Sequence, residues 1–127
     1  MKIRSEDGLP FVAATVWYQG RQITSDRVIL DTGSAGSVFA ADWLAAIGLL
    51  PEPSDRVGRV SGVGGAEPVF IKQIDKLAVG GIELAMPDIQ VAAMSYGISI
   101  DGIIGFDFLT QVEAVIDLHS MELRQHA

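Results

Sequence analysis

The sequence contains no cysteine. That excludes disulfides, thiol nucleophiles and cysteine metal centres, and it leaves the compartment open. Histidine is almost as scarce. His119 and His126 stand near the C-terminus, in a turn and a tail. They form no ligand cluster for a metal and supply no plausible base for a nucleophile at Ser34 or Ser37. Neither a metal ion nor a cofactor is expected. No apolar run approaches the roughly 20 residues that a membrane-crossing helix needs. Basic residues are few: 9 Lys and Arg against 16 Asp and Glu give a formal net charge of -7. Such a surface repels phosphate backbones, so nucleic acid is not an expected partner. Met1 to Pro10 is polar and carries both signs of charge, unlike a secretory leader. The expectation is a cytoplasmic protein if Met1 is the native start, and a periplasmic or membrane-tethered one if the chain is trimmed from a longer precursor.

What is present describes a folded domain. Hydrophobic residues make up 49% and charged residues 20% of the 127, enough for one core and one domain spanning residues 1–127. The 14 glycines and 5 prolines divide the chain into short hydrophobic segments, which predicts strands. Phe11 to Tyr18 and Arg21 to Leu30 read as a hairpin about Gln19-Gly20. Phe39 to Ile47 has helical spacing and is stopped by Gly48. Pro51 to Arg59 reads as a connection. Val57 to Phe70 is a hairpin with the glycine-rich tip Ser61-Gly62-Val63-Gly64-Gly65. Ile71 to Val79 and Ile82 to Met94 form a longer hairpin about Gly80-Gly81, with Pro87 restricting its second arm to an edge or bulged strand. A short helix follows over Phe106 to Gln111, then strands Ala114 to Leu118 and Met121 to Arg124.

The chain also resembles itself. Ser37 to Leu44 aligns with Gly102 to Leu109, matching Asp42 with Asp107, Trp43 with Phe108 and Leu44 with Leu109. Each copy follows a hairpin and runs strand, loop, short strand, helix. The expected fold is all-β, a small closed β-barrel of two similar halves with one or two short helices and a flap between them.

One turn carries an acid that a polar loop would not need. In Val28-Ile29-Leu30-Asp31-Thr32-Gly33-Ser34 the carboxylate leaves a hydrophobic run, where water is expected to be limited. Gly33 lets a backbone amide approach the acid, and Thr32 and Ser34 offer hydroxyl donors. This apolar run into Asp31-Thr32-Gly33-Ser34, the tip Gly62-Val63-Gly64-Gly65, and Ile103-Ile104-Gly105 before a short helix resemble the retropepsin-like aspartic proteases. The wording Asp101-Gly102-Ile103-Ile104-Gly105-Phe106-Asp107-Phe108-Leu109 is most similar to bacterial members.

The resemblance implies an aspartic endopeptidase acting on a peptide or protein substrate through a water activated by two aspartates. The internal repeat places Tyr96 opposite Asp31, and neither Asp101 nor Asp107 is followed by Thr-Gly or Ser-Gly. The second acid is therefore expected from another copy of the chain, in a two-fold homodimer. By resemblance the catalytic set is Asp31, Thr32, Gly33 and Ser34. Thr32 would bond across the two-fold axis, Gly33 would meet substrate backbone, and Ser34 would bond to the Asp31 carboxylate. The substrate-binding set is Ala35, the flap residues Ser61, Gly62, Val63, Gly64 and Gly65, and Ile103 and Ile104, with Val63, Ile103 and Ile104 lining apolar pockets. Viral members often carry two acids and an arginine where this chain has Ala35-Gly36 and Phe106.

The other chemistries read less well. Gly62 to Glu67 runs on into strand rather than helix, so it is no nucleotide loop. Trp43, Phe106 and Phe108 are expected in the core, Asp42 and Asp107 as helix-surface or capping acids, and Glu52, Asp55, Glu67 and Asp88 as solvated loop charges. The rival reading is a catalytically silent or partner-dependent module of the same fold, serving dimerisation or protein interaction.

Overall fold

The computed structural model describes residues 1–62, 65–94 and 98–127, with side chains outside 59–67. Strand β1 (Arg4–Glu6) turns through Asp7-Gly8 into β2 (Leu9–Tyr18), which turns through Gln19-Gly20 into β3 (Arg21–Leu30). Both turns place two residues at positive φ, whose twist matches that of the paired strands. The chain continues through β4 (Val38–Ala40), α1 (Ala41–Ala45), β5 (Arg56–Gly62), β6 (Gly65–Gln73), β7 (Lys76–Val79), β8 (Ile82–Ala85), β9 (Asp88–Ala92), β10 (Gly102–Ile104) and α2 (Phe106–Gln111). It ends in β11 (Ala114–Asp117) and β12 (Glu122–Gln125). No helix among the described residues is long and apolar enough to cross a membrane.

The main sheet runs β5-β6-β9-β4-β10-β3-β2-β7-β8, with β1 beside β2. It is not a closed barrel, which corrects the expectation. Strand β8 is only four residues long, followed by Met86 at positive φ and Pro87, and it pairs with β7 while β5 forms the opposite end of the sheet. Side chains hold the inner strands and both helices together. One apolar cluster joins Val16, Val28, Phe39, Leu44, Leu77, Val79, Val91, Ile104 and Phe108, each at most 1% exposed. Full burial of each of the larger ones is worth about 1.5–3 kcal/mol.

The expected long hairpin exists with a break. Ile71 pairs with Gln90 and Gln73 with Asp88; beyond Pro87, Lys76 pairs with Ala85 and Val79 with Ile82 in the same register. Strand β8 is an edge, as Pro87 suggested, but β9 lies inside the sheet between β6 and β4. The first helix is shorter than its spacing predicts. Val38, Phe39 and Ala40 pair with β9, and these sheet bonds outcompete the helical turn that Phe39 would begin. Phe39 stacks instead on Trp43, their centroids 5.8 Å apart.

The stretch Pro51 to Arg59, read as a connection, delivers β5 from Arg56. It is tied down by Lys72, only 6% exposed, whose Nζ lies 2.6 Å from Glu52 and 2.9 Å from Asp55. Asp55, its side chain 11% exposed, is therefore not the solvated loop charge expected, whereas Glu52 stays exposed as it pairs with the lysine. Burial opposes both charges. The bonds from Lys72 and from the Glu52 amide still hold Asp55 below the usual carboxylate range, and those same Lys72 contacts hold the ammonium above its usual range. Strand alternation could have found this lysine: Phe70 and Lys72 share one face of β6.

Candidate active site

Strand β10 builds the site. It lies parallel to β3, pairing Ile103 with Ile29 and Ile104 with Leu30, and antiparallel to β4 on its other side. Two segments 70 residues apart in sequence thus meet at the end of β3, where Asp31 leaves the sheet. The Asp31 amide donates to the Ile104 carbonyl at 2.9 Å, and the Phe106 amide to the Ser34 carbonyl at 2.7 Å. Gly105 fits between them because it has no side chain. A Cβ there would lie 2.3 Å from the Gly36 oxygen and 2.7 Å from the Ser34 oxygen.

Within the turn, the Ser34 amide donates to the Asp31 carbonyl at 3.1 Å and the Gly33 amide to Asp31 Oδ1 at 2.9 Å. A Cβ on Gly33 would crowd that same oxygen at 3.2 Å. The carboxylate is thus oriented by its own turn, a local device that Asp and Gly favour. Two expectations are corrected. Ser34 does not bond to the Asp31 carboxylate; its hydroxyl donates to the Gly36 carbonyl at 2.7 Å, closing the loop. Asp31 is also exposed rather than edged by dry core, since strand alternation ends at Leu30 and the turn lifts the acid off the sheet. Thr32, Gly33 and Ala35 are exposed beside it.

The profile of a family described as aspartyl protease matches residues 14–108. The chain belongs to this retropepsin-like aspartyl protease family. The match takes in the Asp31 turn, the β5–β6 hairpin and the β10–α2 junction. No curated protein sequence matches the chain.

In this family member the two isoleucines of β10 part company. Ile104 is fully buried in the main core, which corrects its expected place in a substrate pocket, because successive strand residues point to opposite faces. Ile103 points the other way and packs half-buried against Phe11, Ile29 and Ile100. In the β5–β6 hairpin Ser61 pairs with Ala66 and Gly62 with Gly65. Val63 and Gly64, the expected tip, lie outside the described residues, as does Tyr96. The histidines are exposed, and no three His, Asp or Glu side chains among the described residues are gathered as metal ligands would be.

Three aromatics expected in the core divide. Phe108 is buried and Trp43 half-buried against the core, but Phe106 is 54% exposed. It stands at the first position of α2, and a helix of six residues carries too little periodicity to predict which side faces out.

Sequence reading missed Ser37 and Asp107. Ser37 is 2% exposed. Its hydroxyl donates to Asp107 Oδ1 at 2.8 Å and accepts from the Gly105 amide at 2.9 Å, while its own amide donates to Asp107 Oδ2 at 3.2 Å. Asp107, expected as a helix-surface or capping acid, is half-buried and accepts the Phe108 amide of its own first turn as well as both Ser37 donors, whereas its repeat partner Asp42 is exposed as expected. The signal was an acid two residues after Gly105, the glycine that the loop contact requires.

Proposed function

We propose that the protein is an aspartic endopeptidase whose active form is a homodimer, with Asp31 of each copy forming one dyad. The observation that carries this reading is the oriented yet exposed Asp31 carboxylate, in a chain of this protease family that has no second acid in an equivalent turn. Two carboxylates held close cannot both ionise, so one stays protonated. The ionised carboxylate takes a proton from a water whose oxygen attacks the scissile carbonyl carbon. The protonated partner donates to the carbonyl oxygen. Collapse of the tetrahedral diol breaks the C–N bond as a proton passes to the leaving nitrogen, and the dyad regains its single shared proton.

Thr32 would brace the dyad across the two-fold axis, and Gly33 and Ala35 would meet the substrate backbone. The β5–β6 hairpin, with Ser61, Gly62, Val63, Gly64 and Gly65, would close as a flap and pair with an extended peptide. Ile103, backed by Ile29 and Phe11, would line an apolar subsite. The test is cleavage of an unstructured protein at mildly acid pH by the wild type and by Asp31→Asn. Loss of cleavage in the variant supports the dyad; retained cleavage refutes it.

The exposure of Asp31 in a single chain favours one second reading. The chain alone would be silent, and active only when a partner supplies the other half. Sedimentation measured alongside activity decides between them: activity that rises with self-association supports the homodimer, a silent monomer supports the partner-dependent reading, and activity from a strict monomer would refute both.

A further inference from the structure

Asp31 makes its carboxylate contact only with the amide of its own turn among the described residues, and it stands exposed. The stiffness that fixes its direction must come from beneath the loop. Both ends of the segment Asp31 to Ser37 are fastened to one short piece of chain, Ile104 to Asp107. The front end is held by the Asp31 amide on Ile104 and the middle by the Phe106 amide on Ser34. The back end is held by the buried Ser37, whose hydroxyl gives one hydrogen bond to Asp107 and takes one from Gly105.

From this arrangement we infer that Asp107 is a positioning residue for the Asp31 carboxylate, acting through Ser37. The inference rests on the dyad reading of the site. A helix-capping acid would need only the amides of its own first turn, and Asp107 Oδ1 does accept from the Phe108 amide at 2.7 Å. Yet both of its oxygens also face Ser37, one on the amide and one on the hydroxyl. Hydrogen bonds to an ionised acceptor are roughly twice as strong as neutral ones. This position needs two acceptors side by side. A carboxylate has them; a carboxamide replaces one with an NH2 that would face a donor. Release of Ser37 frees Gly36 and Ser34, and through the Ser34 amide it frees the turn that aims Asp31.

The test compares Asp107→Asn, Ser37→Ala, the conservative Ser37→Thr, and Asp42→Asn as an exposed control. For Asp107→Asn and Ser37→Ala, kcat is expected to fall by about 100-fold, the scale of a small misplacement of a reacting group. KM and dimerisation should be unchanged, and Ser37→Thr should recover most of the loss. An independent readout is the 13C carboxyl signal of Asp31 by NMR. It should move or broaden in Asp107→Asn and Ser37→Ala, and stay fixed in Asp42→Asn. An unmoved Asp31 signal overturns the inference whatever the enzyme does. So do wild-type kcat in folded variants, and failure of both variants to fold at 25 °C, since the bonds would then serve stability. An active Asp31→Asn would refute the dyad instead, and the NMR signal would still decide whether Asp107 positions Asp31.

Discussion

The carboxylate of Asp107 accepts two hydrogen bonds from Ser37, one from its amide at 3.2 Å and one from its hydroxyl at 2.8 Å. They join helix α2 to the loop that carries Asp31, across a distance of 70 residues in sequence. The ends of this loop are therefore set by the β10–α2 junction as much as by the turn itself.

Gly105→Ala should be among the most damaging single changes near the site. Its new methyl would meet the Gly36 and Ser34 carbonyl oxygens, which are backbone and cannot swing away. Overpacking of this kind costs about 1–3 kcal/mol. Thermal denaturation should show the loss, and residual cleavage should fall further than the folded fraction, because the displaced segment is the Asp31 loop.

Asp31→Asn should do the reverse, removing cleavage while leaving the fold. The side chain is exposed, and an asparagine carbonyl still accepts from the Gly33 amide. Surface changes of this type usually stay within about 0.5 kcal/mol. A denaturant midpoint shifted far beyond that would show that the carboxylate also serves stability.

Phe108→Ala should unfold the domain readily. The ring is 1% exposed and packs in the cluster shared by both helices and the sheet. Truncation of a buried phenylalanine costs about 3–5 kcal/mol, visible as a lowered urea midpoint. The companion change Phe106→Ala, at a ring mostly in solvent, should leave the midpoint of the isolated chain nearly unmoved.

The Lys72 clasp should give stability a defined pH window. Asp55 is held below its ordinary value of 3.8, so its contribution is present above that pH and is lost as pH falls through the lowered value. Lys72 is held above 10.5, so its contribution is complete below that pH and is lost as pH rises through the raised value. Lys72→Met should therefore lower the melting temperature at neutral pH. The gap from wild type should narrow in strong acid and in strong base; a gap independent of pH would assign the lysine's effect to packing alone.

Much of this fold can be read along the chain. Gln19-Gly20 and Gly80-Gly81 mark turns, and Phe106 to Gln111 is found as a helix over the predicted residues, because these are local matters of propensity and turn chemistry. Helix α1 loses its first residues to β4, whose pairing with β9 and β10 no local pattern announces. That the sheet stays open, with β5 and β8 as its two ends, is a matter of strand order that no local pattern carries.

The site divides along the same line. The sequence by itself determined the Asp31 turn, since Gly33 and the acid need only each other, and it determined that one chain holds a single such turn. Only the tertiary structure decided that Ile103 faces outward while Ile104 is core. The same is true of Asp107 with Ser37 fastening the loop. Those contacts exist because β10 is inserted between β3 and β4, and long-range strand pairing leaves no trace in the spacing of neighbouring residues.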